Sequence, residues 1–445
     1  MADSELAQGH YGAALSNAEI ALAKARALGA MREVALAQSV RAAVLAEGRR
    51  EDIQEALTAY QEARRLFDQL GDRANVAALI QNVGAFLYEG FDLPIAEQLL
   101  RQTVEIFADL GDPEGEVKAR LRLSIVVRKT GRSAEAQILL SEVLREETLP
   151  PESVAYFVGE TGIRLHLAGR LTEALREHEH AKELFSSLDH QDGYALAITN
   201  IAEIYYLQGN FEAAEALHRA ALGIHEDEDN RAIKNAAYDN LRLGKVRAAK
   251  GNYTDAEQFY ERAAQGADGA DALQLELALA ELDLLRDQNE QAEARLRDAL
   301  RRARDGNEVA EQARLLAALA RACLDQGKLG DAREASREAL AMTVGKRRVV
   351  SDFRAVWESR LIAARVRAAD GEIEPALSEL AAIRALADAE SVVVYSAECL
   401  LAMVEIERRE GEIHLARRHL AELHALVEEH ELGQIEKRVS VLFPD

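Results

Sequence analysis

Apolar residues along the chain recur at helical spacing. In one segment Ile198, Ile201, Ala202 and Tyr205 fall at i, i+3, i+4 and i+7, a single stripe of a helix. Such stripes are punctuated by a recurring phrase: glycine, any residue, a bulky residue, two more, then alanine. It runs Gly9 to Ala14, Gly131 to Ala136, Gly169 to Ala174, Gly209 to Ala214, Gly251 to Ala256, Gly327 to Ala332, Gly371 to Ala376 and Gly411 to Ala416. Looser copies run Gly48 to Ala56 and Gly90 to Ala96, and Asp287 to Ala292 puts aspartate in the glycine's place. Successive closing alanines are 42, 40, 40, 38, 40, 42, 36, 40, 44 and 40 residues apart. A glycine takes a left-handed turn at low cost, the bulky residue wedges between helices, and the alanine lets two backbones approach. A second alanine recurs seven residues on, at 21, 63, 181, 221, 263, 299 and 339. The pattern predicts an all-α solenoid: about eleven hairpins, each a helix A, a tight turn and a helix B, wound into a right-handed superhelix without strands.

Joints between hairpins carry their own marker. In Leu70-Gly71-Asp72 and Leu110-Gly111-Asp112-Pro113 the glycine stops one helix, the aspartate caps the next and Pro113 suits a first helical position. The stretch Asn200-Ile201-Ala202-Glu203-Ile204-Tyr205-Tyr206-Leu207-Gln208-Gly209-Asn210-Phe211-Glu212-Ala213-Ala214 resembles the tetratricopeptide consensus, and the resemblance covers residues 1 to about 430. A period near 40 exceeds that family's usual 34. The chain is similar to its long-helix branch, the sensor arms of bacterial LuxR-type, MalT-type and ATPase signalling regulators, and to adaptor scaffolds.

The domain expectation is one array over 1–430, with a seam at Pro150-Pro151, where two prolines interrupt a helix, and a capping helix over 431–445 with Leu432, Ile435, Val439 and Leu442 as its apolar stripe. Residue 9 is already the turn glycine, so the first repeat reads as truncated and its exposed end as a place for self-association.

The 445 residues carry a formal charge of −23, which argues against nucleic acid and anionic membrane as partners. No apolar run reaches 18 residues. Two distant cysteines, Cys323 and Cys399, exclude a disulfide framework and read as buried thiols in a reducing, cytoplasmic setting. The start has no secretory pattern.

No phosphate loop, HExxH or GxSxG motif occurs, so no catalytic residue, cofactor or metal is expected and the chain reads as a non-enzyme. His178 and His180 point apart on a helix, and His178 and His218 occupy core-facing positions. The acidic run 226–230 lacks the glycine and distant glutamate of a calcium loop, and Lys346-Arg347-Arg348 reads as a loop or a docking patch. Trp357, the only tryptophan, reads as a packing residue.

By the resemblance, ligands lie along the concave face of the A helices, at 18, 15, 14, 11, 8 and 7 residues before each closing alanine. In the fourth to eleventh units those positions hold eleven bases (Lys118, Arg122, Arg128, Lys129, Arg242, Lys245, Arg314, Arg321, Arg365, Arg408, Arg409) and seven acids (Glu160, Glu203, Glu281, Asp325, Glu358, Glu398, Glu405). The expected binding residues are Lys118, Arg122, Arg128, Lys129, Tyr156, Asn200, Glu203, Tyr206, Tyr238, Arg242 and Lys245, facing solvent, so that truncating them would leave folding unchanged. The expected partner is a protein or peptide with an acidic segment. The family's clamp for a chaperone's C-terminal carboxylate is incomplete: Asn200 and Arg242 match two of its five places, while Gly159, Ile163 and Tyr238 fill the others. Two functions stay open: a peptide- or protein-binding scaffold, or the effector-sensing arm of a larger regulator.

Overall fold

The computed structural model of the protein describes residues 11–47, 53–88, 93–130, 132, 135–136, 138–139, 151–226, 232–306, 308–345, 350 and 352–442. Residues 1–8, Pro150, residues 227–230 of the acidic run and Lys346-Arg347-Arg348 lie outside these, so the expectations placed on them concern residues outside the description. Among the described residues there are 21 helices and no strand.

The chain divides into two compact units. The first comprises residues 1–157 and 223–236. It holds α1 (Tyr11–Ala27), α2 (Met31–Glu47), α3 (Ile53–Leu70), α4 (Arg73–Tyr88), α5 (Leu93–Leu110), α6 (Pro113–Lys129) and the start of α7 (Pro151–Leu167). Its core runs through Ala59, Ala63, Phe67, Ile80, Leu100 and Val126.

The second unit comprises residues 158–222 and 237–445. It holds the rest of α7, α8 (Leu171–Ser187), α9 (Gln191–Leu207), most of α10 (Phe211–Glu226) and of α11 (Ala232–Ala249), and α12 (Tyr253–Ala263). There follow α13 (Gly269–Leu285), α14 (Asn289–Asp305), α15 (Val309–Asp325), α16 (Leu329–Thr343), α17 (Phe353–Ala369), α18 (Ile373–Ala389), α19 (Val393–Arg409), α20 (Ile413–His430) and α21 (Gly433–Leu442).

The repeat grammar is realised residue by residue. The ten closing alanines from Ala56 to Ala416 are each at most 3% exposed. Gly169, Gly209, Gly251, Gly327, Gly371 and Gly411 all have φ between +72° and +88°, and Asp287, the substitute, adopts +58°. Asp72 and Asp112 cap α4 and α6, accepting from the backbone N–H of Asn75 and Gly115. Of the second alanines, Ala63, Ala181, Ala221, Ala263, Ala299 and Ala339 are fully buried, whereas Ala21 is exposed because Ala18, Leu22 and Ala25 carry the core face of α1. His178 is fully buried against Gly162, where a Cβ would strike the imidazole, so it is a packing histidine. Cys323 and Cys399 are buried free thiols. Trp357 packs edge-on against Phe353 and Tyr395 at 4.9 and 5.5 Å.

Within the second unit the array closes on itself. One apolar core joins Leu165, Leu171 and Ile204 of α7–α9 to Phe353, Trp357, Tyr395 and Cys399 of α17 and α19. Another joins Phe211, Val246 and Ala249 to Leu400, Leu401, Leu423, Leu432, Ile435 and Val439, the stripe of the last helix included. The backbone of Gly433 lies about 3.1 Å from the position a Cβ on Gly251 would occupy. The Lys437 ammonium donates to the Gly251 carbonyl and sits 4.0 Å from the Tyr253 ring centroid.

Candidate functional site

The inner face of the second unit is built from positions 18 and 11 residues before the closing alanine, two helical turns apart on one face of each helix A. Position 18 is Tyr238, Gln274, Arg314, Glu358 and Glu398 on α11, α13, α15, α17 and α19. Position 11 is Glu203, Lys245, Glu281, Arg321, Arg365 and Glu405, starting from α9. Position 15 is not part of this face: Leu241, Leu277, Ala317 and Leu401 there are buried core between neighbouring A helices.

Most of these side chains pair with the next helix along. Arg314 makes a two-point contact with Glu358 at 3.0 and 3.1 Å, and the Tyr395 hydroxyl donates to the same carboxylate at 2.8 Å. Arg365 donates to Glu405 at 2.9 Å and lies 3.7 Å from Asp325, whose other partner is Arg321 at 3.6 Å. Arg438 donates to Glu398 at 2.6 Å.

Glu203 is the hub at the other end. Arg242 lies 3.3 Å and Arg354 3.5 Å from its carboxylate, and Arg354 is held in turn by Asp352 at 3.0 Å. Arg242 also donates to the Tyr238 hydroxyl at 2.8 Å and to Gln274 at 3.1 Å, with its guanidinium over the Tyr238 ring. Burial alone would push the Glu203 carboxyl up, but the surrounding cations overcome it and hold the group down at about 2. His218 lies 3.8 Å away, yet burial lowers it to about 4, so near neutrality the two guanidiniums carry the compensation.

Two charged residues of the ladder stand apart. Lys245 and Glu281, of opposite sign and at the same register on α11 and α13, make no ion pair or hydrogen bond among the described residues. Both are half-buried, so solvent still reaches them. Desolvation, with the Arg242 and Arg314 charges, lowers the Lys245 ammonium to about 7, and desolvation raises Glu281. The Asn200 amide and the Tyr206 hydroxyl, both half-buried, likewise lack a hydrogen-bond partner among the described residues.

The structure thus divides the expected binding residues. Asn200, Glu203, Tyr206, Tyr238, Arg242 and Lys245 belong to the second unit, and Lys118, Arg122, Arg128, Lys129 and Tyr156 to the first. Glu203 and Arg242 do not face solvent as expected: they are 7% and 4% exposed and neutralise each other. Their inward register is as read from the sequence, but the closed turn of the second unit encloses it. The expected excess of base on this face is absent from the second unit, whose own share is seven bases and seven acids. In the first unit Lys118 pairs with Glu114 at 2.8 Å and Arg120 with Glu116, each acid one helical turn upstream of its base. The side chains of Arg128 and Lys129 lie outside the described parts.

Several framework residues escaped the sequence reading. Arg354 and Tyr395 sit about one turn before position 18, outside the six inward positions, and Gln274 occupies position 18 uncharged. Arg438 lies forty residues after its partner Glu398. Carrying the repeat one period beyond Ala416 would have found it, because α21 takes the place of one more helix A.

A model of the MalT-like TPR region matches residues 161–443. The chain belongs to the MalT-like TPR family. The matched stretch of this MalT-like chain contains the whole ladder from Glu203 to Arg438. No curated protein matches the sequence. Among solved structures, a Rap protein complexed with competence and sporulation factor is similar at TM-score 0.60 and 17% identity, over 80% of this chain and 98% of that one. The Rap conjugation gene regulator of plasmid pLS20, in complex with the Phr* peptide, is similar at TM-score 0.50 and 12% identity, over 78% and 98%. At such identities these likenesses speak for the fold. No helix among the described residues is long and apolar enough to cross a membrane.

Proposed function

We propose that this MalT-like protein is a peptide-binding regulatory module whose ligand lies against the inner face of the second unit. The observation that carries the reading is the group of half-buried polar side chains Asn200, Tyr206, Lys245 and Glu281, which make no hydrogen bond or ion pair among the described residues and sit in a ladder whose other charged members are paired. Enclosed polar groups lacking partners lose free energy that a ligand can return. Glu203, Tyr238 and Arg242 act as the frame that fixes the shape of the face, and Tyr206 and Asn200 supply contact area and hydrogen bonds. In the first unit Lys118, Arg122 and Tyr156 lie on described parts of the A helices and are proposed as the contact for an acidic segment, with Arg128 and Lys129 assigned to it from the sequence alone. Of the two Rap structures, which share the fold, one holds competence and sporulation factor and the other the Phr* peptide, and the second supports a peptide as the ligand class. The family match favours a second version of the same reading, in which occupancy of the face is reported to another part of a larger regulator.

The test is selection from a random heptapeptide mixture: the full chain is incubated with it, separated by gel filtration, and the retained peptides are identified by mass spectrometry. Enrichment of a defined set, lost in Asn200→Ala with Tyr206→Phe while Trp357 emission is unchanged, is the expected result. Retention of the same set by that variant refutes the assignment of the face.

A further inference from the structure

Of the six charged residues at position 11 in the second unit, Glu203, Arg321, Arg365 and Glu405 each make an ion pair. Among the described residues Lys245 and Glu281 make none, although they are neighbours in the ladder and opposite in sign. At the same register three A helices further along, the guanidinium of Arg365 reaches the carboxylate of Glu405 at 2.9 Å. Opposite charges in an enclosed space attract strongly, so a lysine and a glutamate on adjacent helices that do not touch keep two groups available, one for an anion and one for a cation. Their surroundings keep the two roles distinct. Lys245 is faced by Arg242 on its own helix, Glu203 on α9, Glu281 on α13 and Arg314 on α15. Glu281 is faced by Lys245, Arg314, Glu358 and Arg321. The net charge around Lys245 includes two guanidiniums, which reinforces its pull on a carboxylate, while the Tyr206 hydroxyl, which Glu281 also faces, offers a further donor or acceptor.

We infer that Lys245 and Glu281 are a specificity pair for a short peptide carrying one acidic and one basic group, the acid held at Lys245 and the base at Glu281. This rests on the peptide-binding reading above and narrows it: a purely acidic segment satisfies Lys245 and leaves Glu281 facing like charge. The pair works by selection against wrong ligands as much as by attraction, because a peptide with the wrong charge leaves an enclosed group unpaired.

Four mixtures of N-acetylated, C-amidated, fluorescently labelled heptapeptides test this with the full chain by fluorescence anisotropy. On one alanine and tyrosine background they carry, at randomised positions, one acid and one base, an acid alone, a base alone, or neither. The expected result is that the doubly charged mixture binds about tenfold or more tighter than the neutral one. Lys245→Met should remove the advantage of the acid and keep that of the base, and Glu281→Gln the reverse. Both variants take away a charge without a partner, so both are expected to fold, which Trp357 emission verifies. Equal binding of the neutral and doubly charged mixtures, or an unchanged charge preference in both variants, overturns the inference while leaving peptide binding intact. Failure of every mixture to bind overturns the peptide-binding reading and the inference with it.

Discussion

Replacing Arg242 by alanine removes the nearer guanidinium from Glu203 and takes away the partner of the Tyr238 hydroxyl and of Gln274. Two routes give the size of the effect. Removing one member of a buried ion pair costs about 3–5 kcal/mol, because the other is left uncompensated. Independently, the Glu203 carboxyl is shifted from 4.5 to about 2, which corresponds to about 3 kcal/mol of stabilisation of the anion. Arg354 stays within 3.5 Å and keeps part of this, so Arg242→Ala is expected to destabilise the second unit by about 2–4 kcal/mol at pH 7. The lone tryptophan makes the assay local: Trp357 is buried in the second unit, so its emission during urea unfolding reports that unit. The sign with pH follows from the depressed carboxyl. Its contribution is full above about 4.5 and is lost as the pH falls towards 2, so the gap between wild type and variant should narrow over that window. Removing both charges, Glu203→Gln with Arg242→Met, should recover most of the loss. A midpoint for Arg242→Ala equivalent to less than about 0.5 kcal/mol would mean that these groups stand in solvent and that the enclosed frame is wrong.

Lys245→Met with Glu281→Gln should raise the urea midpoint at pH 7–8, since it removes two enclosed charges without partners; a lower midpoint would show that they serve the fold. Gly433→Ala places a Cβ on the Lys250 carbonyl oxygen and should lower the midpoint by about 1–3 kcal/mol, with Lys437→Met losing about 1 kcal/mol through its Gly251 and Tyr253 contacts; unchanged Trp357 transitions would count against the closed turn. His166, His178 and His218 are lowered by burial to about 3, 4 and 4, so between pH 6.5 and 4 the unfolded chain takes up protons that the folded unit refuses. Stability should therefore fall by several kcal/mol as the pH drops through that window, and flat midpoints from pH 7 to 5 would refute it.

The hairpin architecture was legible because each repeat solves the same local problem with the same residues. A positive φ selects Gly209, Gly251 or, at one place, Asp287, and close helix approach selects alanine at 214, 256 and 292. The inward register of Arg242 and Lys245 was legible for the same reason. What they meet there was not. Glu203 is satisfied partly by Arg354, a residue from a repeat far along the chain, and that meeting depends on a small rotation per repeat summed over many repeats. A period read from sequence carries no information about that sum. The Lys118–Glu114 pair was missed for a simpler reason, since acids just upstream of a basic run lie one helical turn from it.

Closure of the second unit changes the order in which it can be completed. Hydrogen bonds there link residues 186 and 218 positions apart, Lys437 to Gly251 and the Thr172 amide to Glu390. A chain emerging from the ribosome can zip each hairpin onto the one before it, but Phe211, Val246 and Ala249 keep an uncovered flank until Leu432, Ile435 and Val439 have been synthesised. The growing polypeptide therefore carries a hydrophobic edge through the making of some two hundred residues, a window in which a holdase chaperone has a surface to grip. The helix Gly433–Leu442 is the one that relieves it.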